Sequence, residues 1–302
     1  LEWRKNIEVR VTNLLRNKPS AKILWLIELG INHEQQHQEL LLTDIHHLFS
    51  NNSLAPGLVS QSSHADPTDE PFQWIKGVCG LVDTGYDGNE FHFDNEGPKH
   101  SALNPTHSMG NRLVNNSEWL QFIDDGGYQN FKWWLDEGWA WLQAEKIAMP
   151  LYWFKDDQNL LSHFSLHGNK SLDMHAPVSN ISYFEADAFA RWASQNLTEY
   201  AKARLPTEFE WEAFARSGVN SCNDIFGKVW QWTSSHYHPY PGYQPWGGIA
   251  GEYNGKFMVN QMVLRGSSAY TPIGHSRPTY RNFFPTHARW QMSGLRLAKN
   301  DI

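Results

Sequence analysis

Residues 23–48 read ILWLIELGINHEQQHQELLLTDIHHL. Ile23, Leu24, Ile27, Leu41, Ile45 and Leu48 recur at helical spacing, with Pro19-Ser20 as a start and Asn51-Asn52 as a stop. At ~1.5 Å per residue this is a rod of about 45 Å, longer than a typical globular helix, with Gly30 as a candidate kink. An amphipathic stretch from Trp3 to Leu15 pairs with it as a helical hairpin. Two helices make a poor core, so further helices are expected against this pair.

His33 and His37 stand four apart, so both imidazoles project from one helix face with Cβ atoms ~5–6 Å apart. Two neutral rings at that spacing can converge on one metal at ~2.0–2.2 Å. Two chemistries use the spacing. HEQQH satisfies the HExxH pattern of zinc proteases, with Glu34 as general base. The metzincin continuation fails, because Leu40 stands in place of its glycine and Thr43 in place of its third histidine. The other chemistry is a three-histidine iron site with positions open for substrate and O2. Two histidines on a solvated polar face are the reading that needs no metal.

Working outward, residues 50–71 (SNNSLAPGLVSQSSHADPTDEP) are rich in Ser, Pro and Asp and read as a break between two parts. The division is 1–57, a linker at 58–71, and 72–302. Beyond the linker, short segments are punctuated by Gly, Pro and Trp, and three helices announce themselves by capping boxes: Asn115 with Glu118, Ser182 with Glu185, and Thr207 with Glu210. The class is α+β.

A net charge of −7 argues against a nucleic-acid binder. Cys79 and Cys222 are far apart and lack a CxxC pattern, which excludes a disulfide framework or thiolate zinc site. The longest apolar stretch, Ile23 to Ile31, is too short for a membrane span, and no basic-then-apolar leader opens the chain, so a cytoplasmic protein is expected. Most of the 15 tryptophans, including Trp133, Trp134, Trp139, Trp141, Trp153, Trp230, Trp232 and Trp246, are expected to fill the core. His46 and His47 fall in the last helical turn and are expected to form a cationic helix end.

The string from His33 to Asp44 resembles the iron-binding helix of the EgtB-type sulfoxide synthases of ergothioneine biosynthesis. Phe93-Asp-Asn-Glu-Gly-Pro98, Asp125-Gly-Gly-Tyr128, Pro150-Leu-Tyr-Trp153, Gly251-Glu-Tyr-Asn-Gly-Lys-Phe-Met258 and Tyr280-Arg-Asn-Phe-Phe-Pro285 follow in that family's order. Arg204-Leu-Pro-Thr-Glu208, Val263-Leu-Arg-Gly266 and Gly294-Leu-Arg-Leu-Ala298 are shared with the wider formylglycine-generating-enzyme fold and identify the fold only.

The resemblance implies a partial DinB-like helical bundle over 1–57 followed by a C-type-lectin-like, formylglycine-generating-enzyme-like domain over 72–302. It implies a mononuclear Fe(II) held by three histidines, two of them His33 and His37. The third comes from an earlier helix; none of the 32 residues before His33 is a histidine, so it is expected outside this chain. The reaction implied joins hercynine (trimethylated histidine) to cysteine or γ-glutamylcysteine with O2, giving a sulfoxide.

Gln36 matches a glutamine facing the substrate imidazole, Asn282 an asparagine contacting the betaine, Arg289 an arginine pairing with a substrate carboxylate, and Tyr253 a pocket tyrosine and possible acid. Phe283 is the candidate face for the trimethylammonium group, worth ~0.5–2 kcal/mol. Ala250 stands where better-known members carry an acidic tyrosine, and Phe284 replaces an aspartate that helps bind the thiol. These departures leave the thiol open and admit a selenium donor. Outside that reading stand a zinc hydrolase using His33 and His37 and a lectin-like binding module without catalysis. His236, His238 and His275 are further candidates for the surroundings of the site. Cys222 lacks the partner cysteine that formylglycine-generating chemistry needs.

Overall fold

Three of the six helices among the described residues begin at side-chain caps. The structure, a computed structural model, describes residues 1–59, 70–218 and 222–301, so most of the expected linker lies outside the described residues. The helices are α1 (Glu2–Arg16), α2 (Ala21–Ser50), α3 (Asn116–Asp124), α4 (Asp136–Glu145), α5 (Tyr183–Asn196) and α6 (Glu208–Arg216). The three expected capping boxes open α3, α5 and α6, with each cap side chain and each acidic residue satisfying the other's backbone donor. α2 runs from the Ser20 cap to Asn51 without a break at Gly30.

α4 was not announced by the sequence. It follows Leu135, which offers no side-chain cap, and ends on Lys146 in the left-handed conformation. Gly138 lies so close to the Phe184 ring that a Cβ would meet it at 2.8 Å, and Leu142 is buried. Tertiary packing holds this helix where local signals are weak.

The strands in chain order are β1 (Trp74–Lys76), β2 (Gly80–Thr84), β3 (His100–Asn104), β4 (His107–Gly110), β5 (Trp153–Lys155), β6 (Leu161–Ser165), β7 (Gly168–Ser171), β8 (Ala203–Arg204), β9 (Trp230–His236), β10 (Gln261–Gly266), β11 (Asn282–Pro285), β12 (Ser293–Gly294) and β13 (Ala298–Asn300). They form two four-stranded sheets, β1-β4-β13-β8 and β11-β10-β9-β12, with a β2-β3 pair and a three-stranded β5-β6-β7 sheet. The class is α+β, as expected. The main core joins α3 and α5 to the sheets through fully buried aromatics, with Trp119 stacked on Phe189 at 4.9 Å between centroids. Of the tryptophans expected inside, Trp133, Trp134, Trp153, Trp230 and Trp232 are buried.

Two buried polar clusters fix the parts that matter below. At the start of α6, Glu208 accepts from Arg281 Nε (2.9 Å) and Nη2 (3.0 Å) and from Arg265 Nη2 (2.8 Å), all three side chains being fully enclosed. Burial alone would raise the Glu208 carboxyl, but the Arg281 and Arg265 charges outweigh it and hold it below the usual range. This ties β10 and the start of β11 to α6.

The second cluster seats the C-terminal half of α2. Glu39 accepts from Trp230 Nε1 (2.7 Å), Ser268 Oγ (2.5 Å) and Thr271 Oγ1 (2.7 Å). Two turns on, His46 is buried against Tyr152 and Phe164, its Nε2 3.1 Å from the Phe164 carbonyl. The expected cationic helix end is therefore corrected at His46: desolvation pulls its pKa down to about 4, and the ring is neutral. By contrast, α1 buries no residue and meets α2 through an exposed Arg4–Glu34 pair at 3.3 Å, a contact of little energetic weight. No helix among the described residues is long and apolar enough to cross a membrane.

The state of His46 sets a pH dependence. Its folded pKa lies below the ~6.5 of an unfolded chain, so the unfolded state binds more protons between the two values. The neutral ring's contribution is complete above pH ~6.5 and is lost as pH falls towards about 4, a loss of about 3 kcal/mol. Urea denaturation across that range should show native protein losing about that much more stability than His46→Gln, which keeps a donor for the Phe164 carbonyl without the titration. Parallel pH profiles for the two proteins would contradict this account.

Candidate active site

His33 and His37 project from one face of α2 with their Nε2 atoms 3.0 Å apart and their rings nearly perpendicular. Both rings are exposed to solvent, yet both line a cavity of about 440 Å³ between α2 and the sheet domain. Desolvation, and then the neighbouring His37, lower the His33 pKa and favour the neutral ring that can donate a lone pair. Two ligand bonds of ~2.1 Å place their nitrogens ~3.0 Å apart at a right angle and ~3.4 Å apart at a tetrahedral angle. The observed separation is that of a hydrogen bond between the two rings, and it is short enough for both nitrogens to reach one metal ion. Among the described residues no third His, Cys, Asp or Glu joins the pair.

The hydrolase alternative needs Glu34 as a base at the metal. Glu34 instead is exposed and points to Arg4 at 3.3 Å, away from the cavity. HEQQH here is a sequence coincidence with the protease pattern.

The cavity brings together four of the five expected substrate residues. Gln36 lies between the histidines on the helix face that meets the sheet domain, with Nε2 donating to the Tyr280 hydroxyl at 2.6 Å and Oε1 accepting from the Tyr253 hydroxyl. Tyr253, one turn past Ala250, sets its ring edge to face with His33 at 5.4 Å. Burial and then the Asp94 charge raise the Tyr253 pKa, so the phenol stays protonated. Asn282 and Phe283 open β11 on the opposite wall. Phe283 stacks on Tyr237 at 4.0 Å, and Asn282 Oδ1 accepts from the Phe283 backbone, leaving its amide nitrogen without a recorded partner.

Arg289 is not brought to this cavity. Its Nη2 donates to Glu185 at 3.1 Å and to the Met149 carbonyl, in the wall of a separate cleft with Trp141 and His287. Glu185 is the fully buried capping-box carboxylate of α5, and Arg289 supplies the positive charge it needs. Phe284 does line the cavity, as does Trp230. Of the further histidines, His275 reaches the site's edge, 2.9 Å from Gln35, whereas His236 and His238 do not line it.

Tyr280, Glu39 and Asn95 were missed. Tyr280 stands in a motif read only for family resemblance, and nothing in its spacing tied it to Gln36, 244 positions earlier. Glu39 did carry a signal: it lies three positions from Gln36, on the same helix face.

The sulfatase-modifying factor enzyme 1-like domain matches residues 72–223 and 220–301. A hercynine oxygenase from Mycolicibacterium thermoresistibile is 31% identical over 341 aligned positions, covering 95% of this chain and 72% of its own. One from Mycolicibacterium smegmatis is 30% identical, covering 97% and 76%. Ergothioneine biosynthesis protein 1 of Schizosaccharomyces pombe is 26% identical over 70% of this chain and 28% of its own. The domain match accounts for the sheet half, and the mycobacterial relatives also cover the helix that bears the histidines. The chain is a member of the hercynine oxygenase family.

Proposed function

We propose that this protein is a non-haem Fe(II) sulfoxide synthase that joins hercynine to a cysteine-type thiol, with residues 1–57 a DinB-like ligand-bearing part and residues 72–302 the substrate-binding domain. The observation that carries the reading is the His33–His37 pair, with its nitrogens 3.0 Å apart, facing a cavity whose far wall is Asn282 and Phe283. His33 and His37 would hold the iron with a third ligand from outside the described residues. Bound there, Fe(II) would supply the site at which O2 is reduced.

The remaining roles belong to this chain's own side chains. Gln36, fixed on the helix face between the ligands, offers an amide to the substrate imidazole. Asn282 offers its free amide nitrogen as a donor to the betaine carboxylate, and the Phe283 face takes the trimethylammonium group, which has no N–H to hydrogen-bond. Tyr253 holds a protonated hydroxyl beside His33, the position from which a proton can be delivered to the reacting centre. Phe284 makes the cavity apolar where the resemblance has an aspartate, which favours the smaller thiol, cysteine, over γ-glutamylcysteine. Arg289, engaged with Glu185, takes no part in this reading.

The reaction balances as follows. Hercynine loses a ring C–H hydrogen and the thiol its S–H hydrogen, a C–S bond forms, one oxygen atom of O2 becomes the sulfoxide oxygen, and the other leaves as water.

The decisive test is anaerobic Fe(II) loading of the complete protein, addition of hercynine with cysteine, γ-glutamylcysteine or selenocysteine, then O2 and mass analysis. A product equal to hercynine plus thiol plus O2 less water is expected with cysteine. Thiol oxidation alone, with no coupled product from any donor, would overturn the assignment, and product from selenocysteine alone would move it to a selenium donor. The iron site has its own check: His37→Ala should lower bound iron by about tenfold or more, with no turnover. Iron content and rate equal to those of the native protein would remove His37 from the ligand set.

A further inference from the structure

The hydrogen bonds that leave α2 at Gln36 return to it at Gln35. The Tyr253 hydroxyl donates to Gln36 Oε1, and Gln36 Nε2 donates to the Tyr280 hydroxyl at 2.6 Å. Having accepted that bond, Tyr280 still has one proton to place, and His275 Nε2 lies 3.4 Å away. His275 is 2% exposed, and desolvation pulls its pKa down to about 4, so its ring is neutral and carries a single N–H. If Nε2 accepts from Tyr280, that N–H is on Nδ1, which lies 2.9 Å from Gln35 Oε1. Tyr253, Gln36, Tyr280 and His275 then each donate once in the same direction, and the chain ends on the Gln35 carbonyl oxygen.

The direction matters because a glutamine amide can turn end for end, exchanging its acceptor and donor. While Tyr280 commits its proton to His275, it can only accept from α2, so Gln36 must present Nε2 to Tyr280 and Oε1 to Tyr253. The Phe93 ring packs beside the chain of bonds, lying 5.4 Å from Tyr253, 5.7 Å from Tyr280 and 6.1 Å from His275 between centroids, and limits the room those three rings have to rearrange.

We infer that Tyr280 and His275 are positioning residues that lock the Gln36 amide with its carbonyl on Tyr253, so that substrate entering beside His33 and His37 meets an amide of fixed polarity. The importance of this lock for turnover rests on the function proposed above; the lock itself does not.

The test therefore begins without metal or substrate. Protein labelled with ¹⁵N-histidine, observed near neutral pH, should show His275 as the neutral Nδ1–H tautomer, its signal identified by its loss in His275→Gln. Tyr280→Phe removes the donor to Nε2 and should shift His275 towards the Nε2–H tautomer. Gln35→Met, which removes the far acceptor at a more accessible position, should do the same if Tyr280→Phe does not fold. An Nε2–H tautomer in the native protein would reverse the chain of bonds and overturn the inference, and so would a tautomer unmoved by both substitutions. In iron-loaded protein, Tyr280→Phe should raise KM for hercynine about tenfold while KM for the thiol stays put, the size expected for one misdirected hydrogen bond. Equal changes in both constants would overturn the positioning role. A native protein that shows the Nδ1–H tautomer but makes no coupled product would support the lock and sink only the reaction assignment.

Discussion

The site depends on where α2 is held, and the Glu39 carboxylate is what holds it. α2 is a 30-residue helix with much of its surface exposed, so apolar packing alone leaves its rotation weakly determined. Successive residues on a helix are rotated by about 100°, so a slip of one position would swing His33 and His37 off the cavity. Glu39 lies two positions beyond His37 and takes charge-assisted bonds from Trp230, Ser268 and Thr271, three donors from two separate segments of the sheet domain. Such bonds contribute ~1.5–3 kcal/mol each and, unlike apolar contacts, have a direction. Buried His46 adds a second anchor seven positions on, two turns along the same face. Two directional anchors on one face fix both the rotation and the slide of the helix.

The opposite wall is set by a different device. Arg281 immediately precedes Asn282, and its guanidinium is bound on three sides, by Glu208, the Asn95 carbonyl and the His238 carbonyl. Buried ion pairs are poor evidence of net stability, since desolvation offsets most of the attraction. Their contribution here is one of aim. With Arg281 pinned and β11 paired to β10 in register, Val263 to Phe283 and Leu264 to Asn282, the cavity-lining side chains of β11 have little freedom. The histidine-bearing helix and the strand across the cavity are thus registered to one framework by separate carboxylates, Glu39 and Glu208.

Much of this was legible in the sequence, and what was not has physical causes. The caps of α3, α5 and α6 are local devices, three residues long, and could be read directly. So could the limits of α2 and the shared face of His33 and His37. α4 is held by the packing of Gly138 on Phe184, across 46 positions of chain, and local propensity carries no trace of that. His46 looked like a charged helix end because sequence position says nothing about Tyr152 and Phe164 arriving to bury it. Arg289 has the right chemistry for a carboxylate, but the carboxylate it meets is Glu185, which the capping box had already placed inside the core. In each case the missed information was the identity of a distant neighbour.

The charge state of the cavity follows from these same pairings and bears on what it can select. Of the charged side chains that line it besides the histidines, Glu39 is engaged by three donors and Arg281 by Glu208, while Lys256 and Glu252 form an exposed pair at 3.5 Å. The uncharged groups in the wall are mainly amide and aromatic, among them Gln36, Asn282, Tyr253, Phe283 and Phe284. A primary ammonium entering such a site would give up hydrogen bonds to water and find few acceptors in return, a loss of about 1–3 kcal/mol for each bond not replaced. A trimethylammonium group makes no such bonds in water and so loses none, while the Phe283 face, held flat by its stack on Tyr237, attracts it by ~0.5–2 kcal/mol. In the reading proposed above, engaging Glu39 and Arg281 within the protein would favour a fully methylated amine over its unmethylated parent. A free carboxylate in the wall would attract both.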